Sequence, residues 1–270
     1  MQVKYFLPSP EINFFIKCYV YYNINTYDQL CFLPNGHPGL TINFTGEYKV
    51  YNEKHQGECF KSHYFIGNAK NSYSVLPNGK FSGLGVYFEP TILFQLLNLS
   101  LNKITDTILP VSDLEDNEYR FLVEKIISAK NIKESIVIIN DFFLKRLRKL
   151  NICYTDVDFA IEYIKRHNGN ISICDLANKF NMSVRTLERK FLQYIGLTPK
   201  QYTKVIRINR ILNNLKQGSL RKLSDIAYQF GYFDQMHFIK DFKNFTGKCP
   251  TEFNLESLPF SYKSKNLLYS

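Results

Sequence analysis

Between Ile171 and Phe253 the chain writes one helix-turn-helix pattern twice, and a repeat of this size constrains the fold before any single residue is interpreted. The first copy runs Leu176-Ala177-Asn178-Lys179-Phe180-Asn181-Met182-Ser183, then Leu187, Phe191, Gly196, Pro199 and Tyr202. The second runs Ile226-Ala227-Tyr228-Gln229-Phe230-Gly231-Tyr232-Phe233, then Phe238, Phe242, Gly247, Pro250 and Phe253. The offset is 50 residues up to the turn (Ala177 to Ala227) and 51 after it (Phe191 to Phe242), so one residue is inserted just past the turn.

Each copy carries the physical requirements of a tight helix pair. Ser172 is placed to cap the first helix of copy one, with Asp175 three positions on. Ala177 and Ala227 are small where two helices must cross. Asn181 and Gly231 follow the first helix, where a left-handed backbone is needed. Leu187 with Phe191, and Phe238 with Phe242, are i,i+4 anchors that leave the opposite face of the second helix free for the major groove. In copy one that free face offers Val184, Arg185, Glu188 and Arg189. In copy two it offers Gln235, Met236, Ile239 and Lys240. Arg bonds guanine bidentately, Glu accepts from cytosine, Gln pairs with adenine, and Met or Ile meets a thymine methyl. Lys190, Lys200, Lys204, Arg221, Lys222 and Lys243 suit phosphate contacts, and equally suit a solvated surface.

Charge supports this placement. Of a net +10, residues 1–150 hold 16 Lys+Arg against 14 Asp+Glu, whereas residues 151–253 hold 16 against 9. A basic excess on the repeat suits a polyanion, whose condensed counterions are released on binding. No apolar run is long enough to span a membrane, and the start lacks the pattern of a signal peptide. Six scattered cysteines without a C-x-x-C pair fit reduced thiols of a cytoplasmic protein. No metal cluster, catalytic set or cofactor is expected from these spacings.

Upstream, the pattern changes to short β-branched and aromatic strands: Tyr19–Tyr22, Leu40–Phe44, Tyr48–Tyr51, Tyr64–Ile66 and Gly85–Phe88. Pro34-Asn35-Gly36, Thr45-Gly46-Glu47 and Pro77-Asn78-Gly79 mark turns between them. A helix is expected to open the segment Glu11–Val20. Helical spacing follows over Thr91–Asn98, over 112–130 behind a Ser112/Glu115 capping box, and over Lys133–Leu150. In this last helix Ile136, Ile139, Phe143, Leu147 and Leu150 form one apolar face, which either packs on its own domain or forms a dimer seam. Asn151–Thr155 reads as a hinge, Asp156 as the cap of a helix over Val157–Arg166, and Lys200–Lys216 as a long helix closed by Gln217-Gly218-Ser219.

The expected fold class is α+β in two domains. Residues 1–150 are expected to form a β-rich domain, cupin-like or a sandwich or barrel, with trailing helices that leave dimerisation open. Residues 151–256 form an all-α domain with two helix-turn-helix motifs joined by a long helix, and 257–270 form a tail.

Residues 155–253 resemble the DNA-binding domain of the AraC/XylS family of transcriptional regulators. The matching residues include Leu176-Ala177, Gly196-Leu197-Thr198-Pro199, Tyr202, Arg207, Asp225-Ile226-Ala227, Phe230-Gly231-Tyr232, His237-Phe238, Phe242-Lys243 and Phe245-Thr246-Gly247. Cys249 and Met236 depart from the family pattern, so base preference at Met236 does not carry over. The resemblance implies seven helices, two reading helices about one DNA turn (roughly 34 Å) apart, and an activator that contacts RNA polymerase. The first domain resembles the sensing domains of such regulators through Pro8-Ser9-Pro10, Leu33-Pro34-Asn35-Gly36, Ile66-Gly67 and Gly85-Val86-Tyr87-Phe88-Glu89-Pro90. A small-molecule effector and a homodimer are open as further partners, and the resemblance implies no particular ligand. Phe32, Phe44, Phe65, Tyr73 and Phe88 either line a pocket or fill the sheet core. The scattered His37, His55 and His63 do not make a metal set. The function expected is sequence-specific DNA binding in transcription, without catalysis. The alternative is a first domain acting as an enzyme or as a thiol sensor through Cys18, Cys31 or Cys59.

Overall fold

The computed structural model describes residues 2–216 and 222–253. Strands occupy most of the first part: β1 (Gln2–Phe6), β2 (Ile16–Thr26), β3 (Leu30–Phe32), β4 (Gly39–Thr45), β5 (Tyr48–Tyr51), β6 (Gln56–Phe60), β7 (Tyr64–Ile66), β8 (Tyr73–Pro77), β9 (Gly79–Phe88) and β10 (Ile108–Pro110). They pair antiparallel into a six-stranded sheet, β1-β2-β9-β4-β7-β10, and a four-stranded sheet, β3-β8-β5-β6. Side-chain alternation divides the larger sheet between two cores. In β2, Cys18, Val20, Tyr22 and Ile24 belong to the inner core, while Tyr19 belongs to a second core with the helices.

That second core is closed by α1 (Ile92–Leu97), α2 (Glu118–Ile127) and α3 (Ile132–Lys149). Ile136, Ile139, Phe143 and Leu147 are buried there, and the Phe143 ring meets Phe88 edge-on at 5.2 Å. Of the two readings of this stripe, packing on its own domain accounts for all of it except Leu150, which is partly exposed. Arg146 is clamped by Asp116 and Glu118 and lies over the Tyr119 ring.

Three local expectations are corrected. Ser112 caps no helix: Val111–Asp113 is a single 3-10 turn, the Ser112 hydroxyl is turned to Asp113, and α2 starts at Glu118. The segment after Pro10 makes one 3-10 turn, Pro10–Ile12, and then enters β2, because the alternation from Ile16 onward outweighs local helix signals. The cap of α4 (Asp156–Arg166) is Thr155, not Asp156; its N–H and hydroxyl both donate to Asp158 Oδ2 at 2.7 Å.

The second part consists of α4, α5 (Ile173–Lys179), α6 (Val184–Tyr194), α7 (Pro199–Lys216), α8 (Leu223–Gln229) and α9 (Gln235–Thr246). These are six of the seven helices that the resemblance implies. Gln217-Gly218-Ser219, Arg221 and the tail 257–270 lie outside the described residues. The two domains share one hydrophobic cluster, running from the inner face of β2 to Tyr202, Val205 and Ile208 of α7. Polar bridges reinforce it. Asn209 Nδ2 donates to Pro34 O at 3.0 Å, and Thr91 Oγ1 donates to Asp158 Oδ1 at 2.5 Å.

Candidate nucleic-acid interface

The repeat is a repeat of geometry as well as of letters. In copy one, Met182 N donates to Ala177 O at 2.9 Å across the turn; in copy two, Tyr232 N donates to Ala227 O at 2.9 Å. Both bonds return the chain after a left-handed residue, Asn181 at φ 52° and Gly231 at φ 69°. A Cβ added at 231 would also sit 2.3 Å from the carboxamide of exposed Asn170, which would have to turn aside.

The second helix of each pair is then capped. Ser183 accepts from Thr186 N at 3.1 Å to start α6, and Asp234 accepts from His237 N at 2.7 Å to start α9. Ser172 caps α5 by accepting from Asp175 N at 3.0 Å, as the sequence predicts. The caps Ser183 and Asp234 differ by 51 positions, whereas Met182 and Tyr232 differ by 50. The inserted residue is therefore Phe233, which is 95% exposed.

Leu187 and Phe191 are fully buried, as are Phe238 and Phe242, so one side of each reading helix is fixed to the body. The opposite side of α6 exposes Val184, Arg185, Glu188 and Arg189. The corresponding side of α9 exposes Gln235, Met236, Lys240 and Lys243; Ile239 is only half-exposed and leans on the core. Among the backbone candidates, Lys222 is exposed, Lys190 bridges to Asp156 at 2.8 Å, and Lys204 bridges to Asp241 at 3.5 Å. Arg207, in α7, ties the unit together. Its guanidinium donates to Gly169 O at 2.7 Å and lies 5.2 Å from the Tyr232 ring centroid.

The first domain grips the far ends of α6 and α9, contacts that the sequence reading missed. Asn68 Nδ2 donates to Ile195 O at 2.9 Å, at the C-cap of α6, and Thr105 Oγ1 donates to Gly196 O at 2.7 Å. Ser72 N donates to Phe245 O at 3.2 Å, in the last turn of α9. The short 67–72 segment between β7 and β8 thus reaches both units. Nothing in its local sequence marks such long-range bonds.

A buried polar cluster sits between the domains. Lys165 Nζ of α4 lies 3.4 Å from Glu89 Oε2, which is 3.9 Å from His37 Nδ1. Burial drives the His37 imidazole down to about 4, and Glu89 only partly opposes this. Burial would raise the Glu89 carboxyl, but the Lys165 and Lys17 ammonium groups help to hold it below the usual range. All six cysteines are free thiols. Burial pushes Cys18 up to about 12 and raises Cys31, and Cys59 is raised by burial and by Glu47. Thiols shifted this way are poor nucleophiles, so the thiol-sensor alternative is not favoured.

Of the aromatics singled out in the first domain, Phe32 and Tyr73 line an internal cavity. Phe65 and Phe88 are core, and Phe44 packs against that core. No helix among the described residues is long and apolar enough to cross a membrane.

Two separate stretches of the chain match known families. Residues 176–255 match the family described as Helix-turn-helix domain, and residues 4–110 match a Domain of unknown function (DUF6597). The chain is 36% identical over 80 residues to the uncharacterised HTH-type transcriptional regulator YidL of Escherichia coli, covering 30% of this chain and 27% of YidL. It is 38% identical over 63 residues to the HTH-type transcriptional activator RhaS of Citrobacter koseri, covering 23% of this chain and 22% of RhaS. It is 32% identical over 111 residues to the regulator YbfI of Bacillus subtilis, covering 36% of this chain and 40% of YbfI. The matched stretches thus span well under half of these relatives. ToxT of Vibrio cholerae has a similar fold over 89% of this chain and 98% of its own, with a TM-score of 0.50 at 18% identity.

Proposed function

We propose that the chain is a sequence-specific, DNA-binding transcriptional regulator of the AraC type, a reading supported by the match of residues 176–255 to the Helix-turn-helix domain. One observation carries the reading. Two units with matching turns each present a capped second helix, with its apolar side anchored and its polar side in solvent. A duplex offers major-groove edges to such a face, and its phosphates suit the surrounding cations. Arg185, Glu188, Arg189, Gln235, Met236 and Lys240 are the proposed base-reading residues, with Val184 and Ile239 contributing apolar contact. Lys190, Lys204, Arg221, Lys222 and Lys243 are proposed to position the backbone. Lys190 and Lys204 would exchange their present carboxylate partners for phosphate.

RhaS is named an activator, which supports activation, and with it contact to RNA polymerase, as the mode of action here. A small-molecule effector of the first domain belongs to the same proposal; a structure of ToxT is described as bound to an unsaturated fatty acid. In a homodimer, the buried stripe of α3 is already spent on its own domain, so other surfaces would form the contact.

Selection of bound sequences from random duplex DNA by the full chain tests the proposal. Enrichment of two short motifs about one helical turn apart is expected, with affinity that falls as salt rises. Weak binding without enrichment, unchanged by any candidate effector, would overturn it.

A further inference from the structure

Between the two sheets of the first domain lies a cavity of about 120 Å³. Its walls are aromatic from both sides. Tyr22, Tyr64 and Phe81 come from the larger sheet, and Phe32, Tyr48 and Tyr73 come from the smaller. Phe32 and Tyr73 stack at 5.4 Å with an interplanar angle of 11°, which gives the cavity one flat wall. The phenols also bond. Tyr48 and Tyr64 bond to one another, and Tyr22 donates to Asn43 at 2.9 Å.

Charge is almost absent from this lining. It contains no Lys or Arg, and its single carboxylate, Asp106, already has partners: the Lys70 N–H at 2.7 Å and the Lys70 ammonium at 3.4 Å. Of the lining's two histidines, His37 is held in its neutral form by burial, and both ring nitrogens of His55 are engaged, Nδ1 by Glu58 and Nε2 by Thr107 at 3.0 Å. A carboxylate or phosphate entering here would lose its hydration and gain no cation, and a buried unpaired charge is costly. An ammonium would find the one carboxylate already neutralised. Size narrows the choice further, since an apolar cavity of about 150 Å³ takes up benzene.

We infer that this cavity is a binding site for an uncharged single-ring molecule of about the size of phenol, and that its occupancy is transmitted through the 67–72 segment. Gly67, Asn68 and Ala69 form part of the cavity wall. The same Asn68 holds the C-cap of α6, and Ser72, four residues on, holds the last turn of α9. Pro34, also on the wall, is gripped by Asn209 of α7. A ring seated against this wall therefore acts on the supports of both reading helices and of the helix that joins them. The transmission rests on the regulator reading; the binding site does not.

The test is calorimetric titration of the full chain with phenol, benzoate and benzylammonium, which share a ring and differ in charge. Phenol is expected to bind, with the two ions at least about tenfold weaker. Val50→Phe, which fills the cavity from β5, is expected to abolish phenol binding while keeping a cooperative thermal transition. Ala69→Leu serves the same purpose if Val50→Phe does not fold. Equal or tighter binding of either ion, no phenol binding, or phenol affinity unchanged in the folded cavity-filled variant would overturn the site. For the transmission, phenol is expected to shift affinity for a selected DNA duplex at least about twofold in the wild type and to lose that effect in Asn68→Ala. A chain that binds phenol but selects no DNA sequence would sink the regulator reading and leave the site standing.

Discussion

Glu89 Oε2 lies 3.4 Å from Lys165 Nζ across the boundary between the two domains, with both side chains largely withdrawn from water. Glu89 follows the last residue of β9, and Lys165 sits in the last turn of α4. Breaking a buried pair by removing one partner leaves an uncompensated charge, which costs about 3–5 kcal/mol in fully buried cases and less where water still reaches. Glu89→Gln is expected to lower the urea midpoint clearly. Glu89→Leu combined with Lys165→Met is expected to recover much of the loss. If the single and double variants unfold at the wild-type midpoint, the pair does not hold the domains together.

His37 gives the same boundary a pH dependence. Its folded value of about 4 lies below the ordinary 6.5, so the unfolded chain takes up the proton first as pH falls. Its contribution is fully present above about 6.5 and is lost as pH drops toward 4. The loss is on the order of 3 kcal/mol. Urea unfolding across that window should show stability falling with pH, and His37→Gln should flatten the fall. An imidazole resonance for His37 that titrates near 6.5 in the folded chain would remove the basis for this.

Direct readout and backbone contact should separate in mutants of the two faces. Arg185→Ala is expected to cost about 1–3 kcal/mol on a selected site and to relax base preference there. Lys243→Ala is expected to weaken all sequences alike and to reduce the salt slope by about one. Affinity measured over a salt series on selected and random duplexes distinguishes them. Identical losses on both duplexes for both variants would mean that the assigned faces are wrong.

Phe233 has no counterpart in the first unit, and it stands in solvent directly before the cap of α9, with exposed Met236 one turn on. An exposed ring at the start of a reading helix fits the C5-methyl of thymine. Phe233→Ser should therefore weaken a selected site by about 1 kcal/mol, the order expected for part of one buried apolar side chain. Replacing the site's thymines with deoxyuridine should weaken the wild type by a similar amount and leave Phe233→Ser almost unchanged. A wild-type protein indifferent to the missing methyl groups would show that the ring faces elsewhere.

Much of the second domain was legible because its signals are local. The repeat is legible as a 50-residue self-match, and the left-handed Asn181 and Gly231, the Ser172 cap and the paired anchors Leu187/Phe191 and Phe238/Phe242 are each set within one or two helical turns. The first domain was read more coarsely. Five strands were visible, but β1, β3, β6, β8 and β10 were not. Gln56–Phe60 shows no alternation, and Leu30–Phe32 and Ile108–Pro110 are too short to carry a period. The Ser112 cap failed because its hydroxyl was taken by the neighbouring Asp113. The contacts of Asn68, Thr105 and Glu89 with the second domain join residues 76 or more positions apart, and no window along the chain can reveal them.

Gly196 closes α6 with φ 82°, and a Cβ there would lie 2.4 Å from Thr105 Oγ1 and 2.8 Å from Leu101 O. Glycine at this position serves the turn after α6, and the same bare position is also the keyhole through which the first domain docks on the second. Chimeras built by exchanging domains within 151–155 therefore face a compatibility rule. The incoming second domain must bring a glycine at this point, and the first domain must bring a surface shaped to meet it, or the two halves will fold without this contact.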